Sequence, residues 1–209
     1  MATIQTIDFP AYLDVEYPDR ELNRLSTLLR PLFALPVLIL LGLLGGSTIR
    51  VGETDFRFGT GGIVFGATVL MLLFRRTYPV WWFDWNLDLT RFSTRIMAYV
   101  ALLTDEYPST EFEQAVHIGI PYPDAATELN RWLPLVKWLL AIPHWILLGF
   151  LSIAATVSVL LAWFAILVTG RYPRARFDFI VGVFRWWLRA SAYALLLTTD
   201  QYPPFRLRP

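Results

Sequence analysis

PLVKWLLAIPHWILLGFLSIAATVSVLLAWFAILVT, residues 134–169, is a run in which Lys137 and His144 are the only ionisable side chains. As one straight helix at 1.5 Å per residue it is about 54 Å long, against a hydrocarbon core of about 30 Å. That mismatch predicts a helical hairpin turning near Gly149 to Ser152. Two shorter apolar runs come earlier, Pro31 to Gly45 and Gly61 to Phe74. Together the three raise the apolar fraction to 56% and the mean hydropathy to +0.47, and hold the charged fraction to 17%. An average soluble domain carries about 25% charged residues. The reading is an integral membrane protein, with the lipid bilayer as its first partner.

The rest of the composition narrows the field. Net charge is +1, so nucleic acid is not an expected partner. Cysteine is absent, which excludes disulfides and thiol chemistry. The first 27 residues carry Asp8, Asp14, Glu16, Asp19 and Glu21 and do not read as a cleavable signal. Insertion is expected to use the internal apolar runs.

The long run belongs to a larger pattern that occurs twice. Tyr17-Pro18-Asp19, followed by Glu21-Leu22-Asn23-Arg24, recurs as Tyr122-Pro123-Asp124, followed by Glu128-Leu129-Asn130-Arg131. An offset of 107 then aligns Arg30 with Lys137 and Pro36 with Pro143; later an offset of 94 aligns Tyr78-Pro79 with Tyr172-Pro173. Between Phe83 and Leu103 eight of twenty-one aligned positions are identical, including Asp84/Asp178, Arg91/Arg185, Arg95/Arg189 and Tyr99/Tyr193. Identities at such unlike residue types do not arise from shared apolar bias. The expected organisation is a tandem duplication, residues 1–109 and 110–209. The first module is degenerate and carries an insertion at 45–62, a Gly-rich loop holding Arg50, Glu53, Asp55 and Arg57.

The fold class that follows is mainly α. Each module is expected to hold a short strand, a hydrophobic helical hairpin and an amphipathic interfacial helix. Tyr12 to Tyr17 and His117 to Tyr122 alternate in the manner of strands that pair as a ribbon. Pro36 and Pro143 are expected to kink the first apolar helices. From Trp82 to Leu103, residues Asp84, Asp88, Arg91, Arg95 and Tyr99 fall on one helical face, and Asp178, Arg185, Arg189 and Tyr193 repeat it. Arginines at the centre of a spanning helix cost about 2.5–3.5 kcal/mol each, so both helices are read as lying in the interface. Basic residues cluster before and after each apolar pair, which predicts both termini on the cytoplasmic side; a multi-pass topology is the expectation, and re-entrant hairpins that dip in and return fit the same charge pattern.

Candidate chemistry is sparse. The Asp/Arg/Tyr stripe suits inter-repeat ion pairs or anionic lipid headgroups. His144 is the one intramembrane candidate for a proton or cofactor role, set against a neutral imidazole bonded to a carbonyl freed by Pro143. No nucleophile–base pair, HExxH or CxxC occurs. No cofactor or metal is expected, and the chain does not read as an enzyme.

Leu140-Ala141-Ile142-Pro143-His144, Ala162 to Leu167, Thr169-Gly170-Arg171-Tyr172-Pro173, Phe177-Asp178-Phe179 with Arg185, and Tyr202-Pro203-Pro204-Phe205 resemble a family of bacterial membrane proteins known only as a domain of unknown function. The resemblance implies the bacterial cytoplasmic (inner) membrane and supplies no catalytic residue. In the first module Val37 stands where the second has His144. The expected function is a non-enzymatic membrane scaffold or accessory subunit, partnered by other membrane proteins or by itself. The alternative is a small transporter, channel or lipid-binding membrane protein.

Overall fold

The computed structural model describes residues 9–20, 22–51, 54–110 and 114–208, with the side chains of 44–61 and 63 excluded. Asp8, Glu21 and Glu53 therefore lie outside the described residues, as do the side chains of Arg50, Asp55 and Arg57.

Two strands and two amphipathic helices form the centre. Strand β1 (Tyr12–Val15) pairs antiparallel with β4 (Val116–Gly119), with Leu13 opposite Ile118. The expected ribbon is present. In both strands alternate side chains are buried, Leu13 and Val15 on one and Val116 and Ile118 on the other. A Cβ at Gly119 would fall 2.1 Å from the Tyr12 ring, so glycine is what lets that ring cross the partner strand.

Helix α3 (Val80–Val100) and helix α6 (Arg174–Ala194) lie under the ribbon. Each is preceded by the proline of a Tyr-Pro pair, Pro79 and Pro173, which sits in extended backbone just before the first turn with its φ set by the ring. Each is followed by a leucine in the left-handed region, Leu102 at φ 64° and Leu197 at φ 59°. The sequence alignment matched Leu102 with Leu196; the backbone matches it with Leu197, so the offset lengthens by one residue after the helix.

The apolar runs differ from expectation in the second half. Helix α1 (Arg24–Gly45) contains Pro31 and Pro36, and β2 (Gly46–Val51) and β3 (Thr54–Gly59) then pair as a hairpin where a loop was expected. Helix α2 (Thr60–Leu70) follows and ends in a π-helical turn, Met71–Arg75. In the second half α4 (Pro134–Leu140) stops at Ala141, because Pro143 in the first turn of the next helix has no N–H to continue the ladder. Helix α5 (Ile142–Thr169) then runs unbroken for 28 residues. There is no hairpin at Gly149 to Ser152. Ser152 accepts the Thr156 hydroxyl at 2.9 Å along the helix, and nothing near Gly149 forces a turn. The run divides at the proline, leaving a helix of about 42 Å that ends at Gly170 in a left-handed cap.

Arg24–Leu43 and Ile142–Thr169 are long and apolar enough to cross a membrane by length and composition. Only 22% and 17% of their most apolar stretches are buried. A soluble core helix is mostly covered; Phe150, Ile153 and Val168 of α5 are each about two-thirds exposed or more.

Candidate functional site

Two buried cations anchor the ends of the central helices, one in each half. Arg30 of α1 donates from Nη1 to the carbonyls of Thr104 at 2.6 Å and Tyr99 at 3.3 Å. Its Nη2 pairs with Asp105, and its guanidinium lies 4.3 Å from the centre of the Tyr99 ring. Lys137 of α4 has no exposed surface. Its Nζ donates to Thr199 O at 2.7 Å, lies 2.6 Å from Asp200 Oδ1 and sits 5.2 Å from the Tyr193 ring. The Asp200 contact falls outside hydrogen-bond geometry and acts as an ion pair. In both clusters the tyrosine from the central helix meets a second one edge-on at 5.6 Å, Tyr107 in the first and Tyr202 in the second. Burial pulls the Lys137 pKa down, against the pull of Asp200 in the other direction. Burial raises the Tyr99 and Tyr193 hydroxyls.

Asp105 and Asp200 were missed by sequence reasoning. The available signal was Asp-x-Tyr-Pro after each amphipathic helix, Asp105 to Pro108 and Asp200 to Pro203.

Part of the predicted stripe shares a surface, since Asp88, Arg91 and Arg95 line one polar cleft, while Tyr99, Arg189 and Tyr193 are buried. Asp84 and Asp88 face solvent, and Asp88 pairs with Arg91 at 3.1 Å. Arg91 also reaches Ile118 O of β4 at 3.5 Å, and Arg95 donates to Ser109 O at 2.6 Å. Tyr99 and Tyr193 are buried under the cations. Asp178 pairs with Arg174 one turn earlier at 3.4 Å. Arg185 does join the halves: it donates to Leu13 O at 2.8 Å and to Asp14 at 2.9 Å. Arg189 is buried and donates to the carbonyls of Arg206 at 2.5 Å and Arg208 at 3.3 Å, so the C-terminal segment covers it from water and headgroups alike. Burial, Arg206 and Arg185 push its pKa down to about 10.

His144 does not bond a carbonyl freed by Pro143. Its Nδ1 accepts from Trp186 Nε1 at 2.9 Å, and the ring stacks on Phe205 at 4.1 Å and 11°. An accepting Nδ1 carries no proton, which fixes the neutral tautomer with the proton on Nε2. Val37 occupies the matching place in the first half and is equally buried. The other histidine, His117, faces Glu16 across the ribbon at 3.2 Å.

Contacts between the halves come in crossed pairs. Tyr78 donates to Leu196 O at 3.0 Å, and Tyr172 to Ala101 O at 3.1 Å. Tyr17 donates to Tyr172 O at 2.5 Å, and Tyr122 to Tyr78 O. Phe177 meets Tyr17 edge-on at 5.0 Å, and Phe83 meets Tyr122 at 5.3 Å. Burial raises the Tyr78 hydroxyl to about 12, with a Thr68 hydrogen bond opposing, and raises Tyr172 as well.

On the other side of α3 and α6 from the ribbon, a cavity of about 640 Å³ opens between α3, α5 and α6. Its α3 wall includes Asn86, Thr90, Ser93, Thr94 and Met97, and its α6 wall Ile180, Phe184, Trp187 and Ser191. Thr90, Ser93 and Thr94 donate to carbonyls of their own helix at 2.7–3.0 Å, so they turn their carbon atoms to the cavity. Nearer the ribbon Arg91, Arg95, His117 and Tyr12 line a polar cleft of about 430 Å³. Among the described residues no group of three or more His, Asp or Glu could hold a metal ion.

The described structure is thus a mainly helical protein with two long exposed apolar helices and a hydrophobic core beneath the ribbon, braced by buried cations at its ends. Residues 132–206 match the family model described as "Domain of unknown function (DUF4389)", the part of the chain that holds α4, α5 and α6 and that reaches as far as Arg206. No curated protein matches the chain, and no solved structure does.

Proposed function

We propose that this protein is a non-enzymatic scaffold or accessory subunit, embedded in the bacterial cytoplasmic membrane as a tandem pair of modules with both termini on the cytoplasmic side. The carrying observation is the use made of its charged groups. Arg30, Lys137, Arg185 and Arg189 each bind a backbone carbonyl or carboxylate of the chain itself. Such groups hold a rigid collar in place and are not poised over a substrate. The crossed tyrosine bonds, the matched left-handed leucines and the two cation clusters support the tandem reading, because each feature of one half has a counterpart at the equivalent position of the other, as a pseudo-two-fold would give. The exposed apolar faces of α1 and α5 support membrane residence, and Trp81, Trp132 and Trp138 on the surface suit the headgroup level.

The test is purification in nanodiscs with mass spectrometry of everything retained. A stoichiometric protein partner, or a stable oligomer, is the expected result; a lone monomer in native membranes refutes the scaffold reading. A second reading, lipid binding, is favoured by the 640 Å³ cavity, whose self-bonded hydroxyls suit an acyl chain better than a water-filled path. It predicts a co-purifying lipid that is lost when Ser93→Trp fills the space.

A further inference from the structure

We infer that the chain sits in a single leaflet, with α1 and α5 immersed near the membrane plane and the ribbon in water, so that α5 does not cross the bilayer. This rests on the tandem membrane reading above and replaces its multi-pass form.

Leu13 pairs with Ile118 in the ribbon, and Arg185 and Arg91 reach across to the carbonyls of those two residues. The pseudo-two-fold axis therefore passes between the strands. Beside it, Asp14 is 65% exposed, Glu16 68% and His117 45%. Were the axis in the plane of the bilayer, this ribbon would stand at mid-depth with its charges facing hydrocarbon, the costliest place for them. The axis must run along the membrane normal with the ribbon in water. Equivalent residues of the two halves then lie at equal depth, so the starts of α1 and α4 are level.

Hydrogen bonds tie the far end of α5 to that same level. Leu22 N donates to Gly170 O at 2.8 Å, and Trp163 Nε1 to Thr27 O at 3.0 Å, which places the end of α5 at the start of α1. The matching contact, Arg131 Nε to Leu73 O at 2.8 Å, places the end of the π-helical turn at the start of α4. Only the seven residues of α4, about 10 Å, separate that level from the start of α5. A helix about 42 Å long whose ends differ in depth by no more than about 10 Å lies near the plane. A crossing needs about 30 Å between them. Charge agrees. Arg131 and Lys137 precede α5, and Arg171, Arg174 and Arg176 follow it. A spanning helix would put one basic cluster on the outer face, whereas an in-plane helix keeps both on the cytoplasmic side. The occupant of the exposed apolar faces of α1 and α5 is accordingly the acyl region of the cytoplasmic leaflet.

The natural chain has no cysteine, which makes the test direct. Single variants Glu16→Cys, Trp132→Cys and Arg171→Cys, all at exposed positions, are treated with a membrane-impermeant maleimide in inside-out vesicles and in intact spheroplasts. Labelling of all three in inside-out vesicles, and its loss in spheroplasts, is the expected result. Labelling of Trp132→Cys and Arg171→Cys from opposite faces overturns the inference. An alkaline carbonate wash separates membrane embedding from single-leaflet placement. Release of the wild-type chain into the supernatant refutes membrane embedding itself, whereas retention with opposite-face labelling refutes only the single-leaflet placement.

Discussion

Replacing Asp200 with asparagine removes the carboxylate that lies 2.6 Å from the buried Lys137 ammonium, its only ion-pair partner among the described residues. The side chain of Lys137 is wholly buried, and Asp200 also accepts from Asn130 N at 2.6 Å, which ties the approach to α4 onto the end of α6. Breaking a buried pair by removing one partner costs about 3–5 kcal/mol, because the remaining charge is left uncompensated. Spread over a chain of this size, at roughly 2–4 °C per kcal/mol, that is a fall in Tm of roughly 6–20 °C. The pH dependence gives the sign a second check. Lys137 has its pKa lowered in the folded state from 10.5. Between the folded value and 10.5 the unfolded chain binds more protons, so stability rises with pH across that window. Without Asp200 the folded pKa falls further and the window widens downward. The Asp200→Asn deficit should therefore shrink as the buffer is taken from pH 7 toward pH 10. Thermal unfolding in a mild detergent, followed by tryptophan fluorescence, measures both effects. The double variant Lys137→Met/Asp200→Asn should recover much of the loss, since it removes the orphaned charge. A loss below about 1 kcal/mol, or a double variant no better than Asp200→Asn, would refute the reasoning.

Three further outcomes are expected. Arg76 caps the π-helical turn in the left-handed region at φ 49°, where the second half has Gly170 at φ 74°; Arg76→Gly should raise stability by about 1 kcal/mol and Gly170→Ala lower it similarly, read as opposite Tm shifts. Tyr172→Phe deletes the buried bond to Ala101 O and should cost about 1–3 kcal/mol in denaturant titrations. A Cβ at Gly182 would stand 2.9 Å from Leu207 Cβ and 3.1 Å from Leu207 O, so Gly182→Ala should lift the C-terminal segment off Arg189. Faster trypsin cleavage after Arg206 in an otherwise folded protein is the measurement; unchanged cleavage would mean the segment is held from elsewhere.

Local pattern was enough to read the two strands, the starts of α3 and α6 and the apolar runs. Alternation, Tyr-Pro pairs and hydropathy act over a few residues, and their effects survive in any fold that uses them. The pairing of Arg30 with Lys137 was legible in the alignment; their partners were not, because Asp105 and Asp200 are about 60–75 residues away and come near only when α3 and α6 turn back. The same limit explains His144. Its proline neighbour was visible, but the donor that engages it, Trp186, arrives from another helix. The hairpin expected in residues 134–169 failed for a related reason: length against bilayer thickness shows that the run is too long for one crossing but not where it divides, and it divides at Pro143. Helix direction is set by what its ends are bonded to, and the ends of α5 are held by the approach to α1 and by α4. Composition and periodicity thus determined which segments are helical, which are apolar and where basic residues flank them. Only the tertiary structure decided which charges are braced, which face of each amphipathic helix meets the ribbon and which elements hold the ends of the apolar helices, because those depend on contacts between residues far apart in the chain.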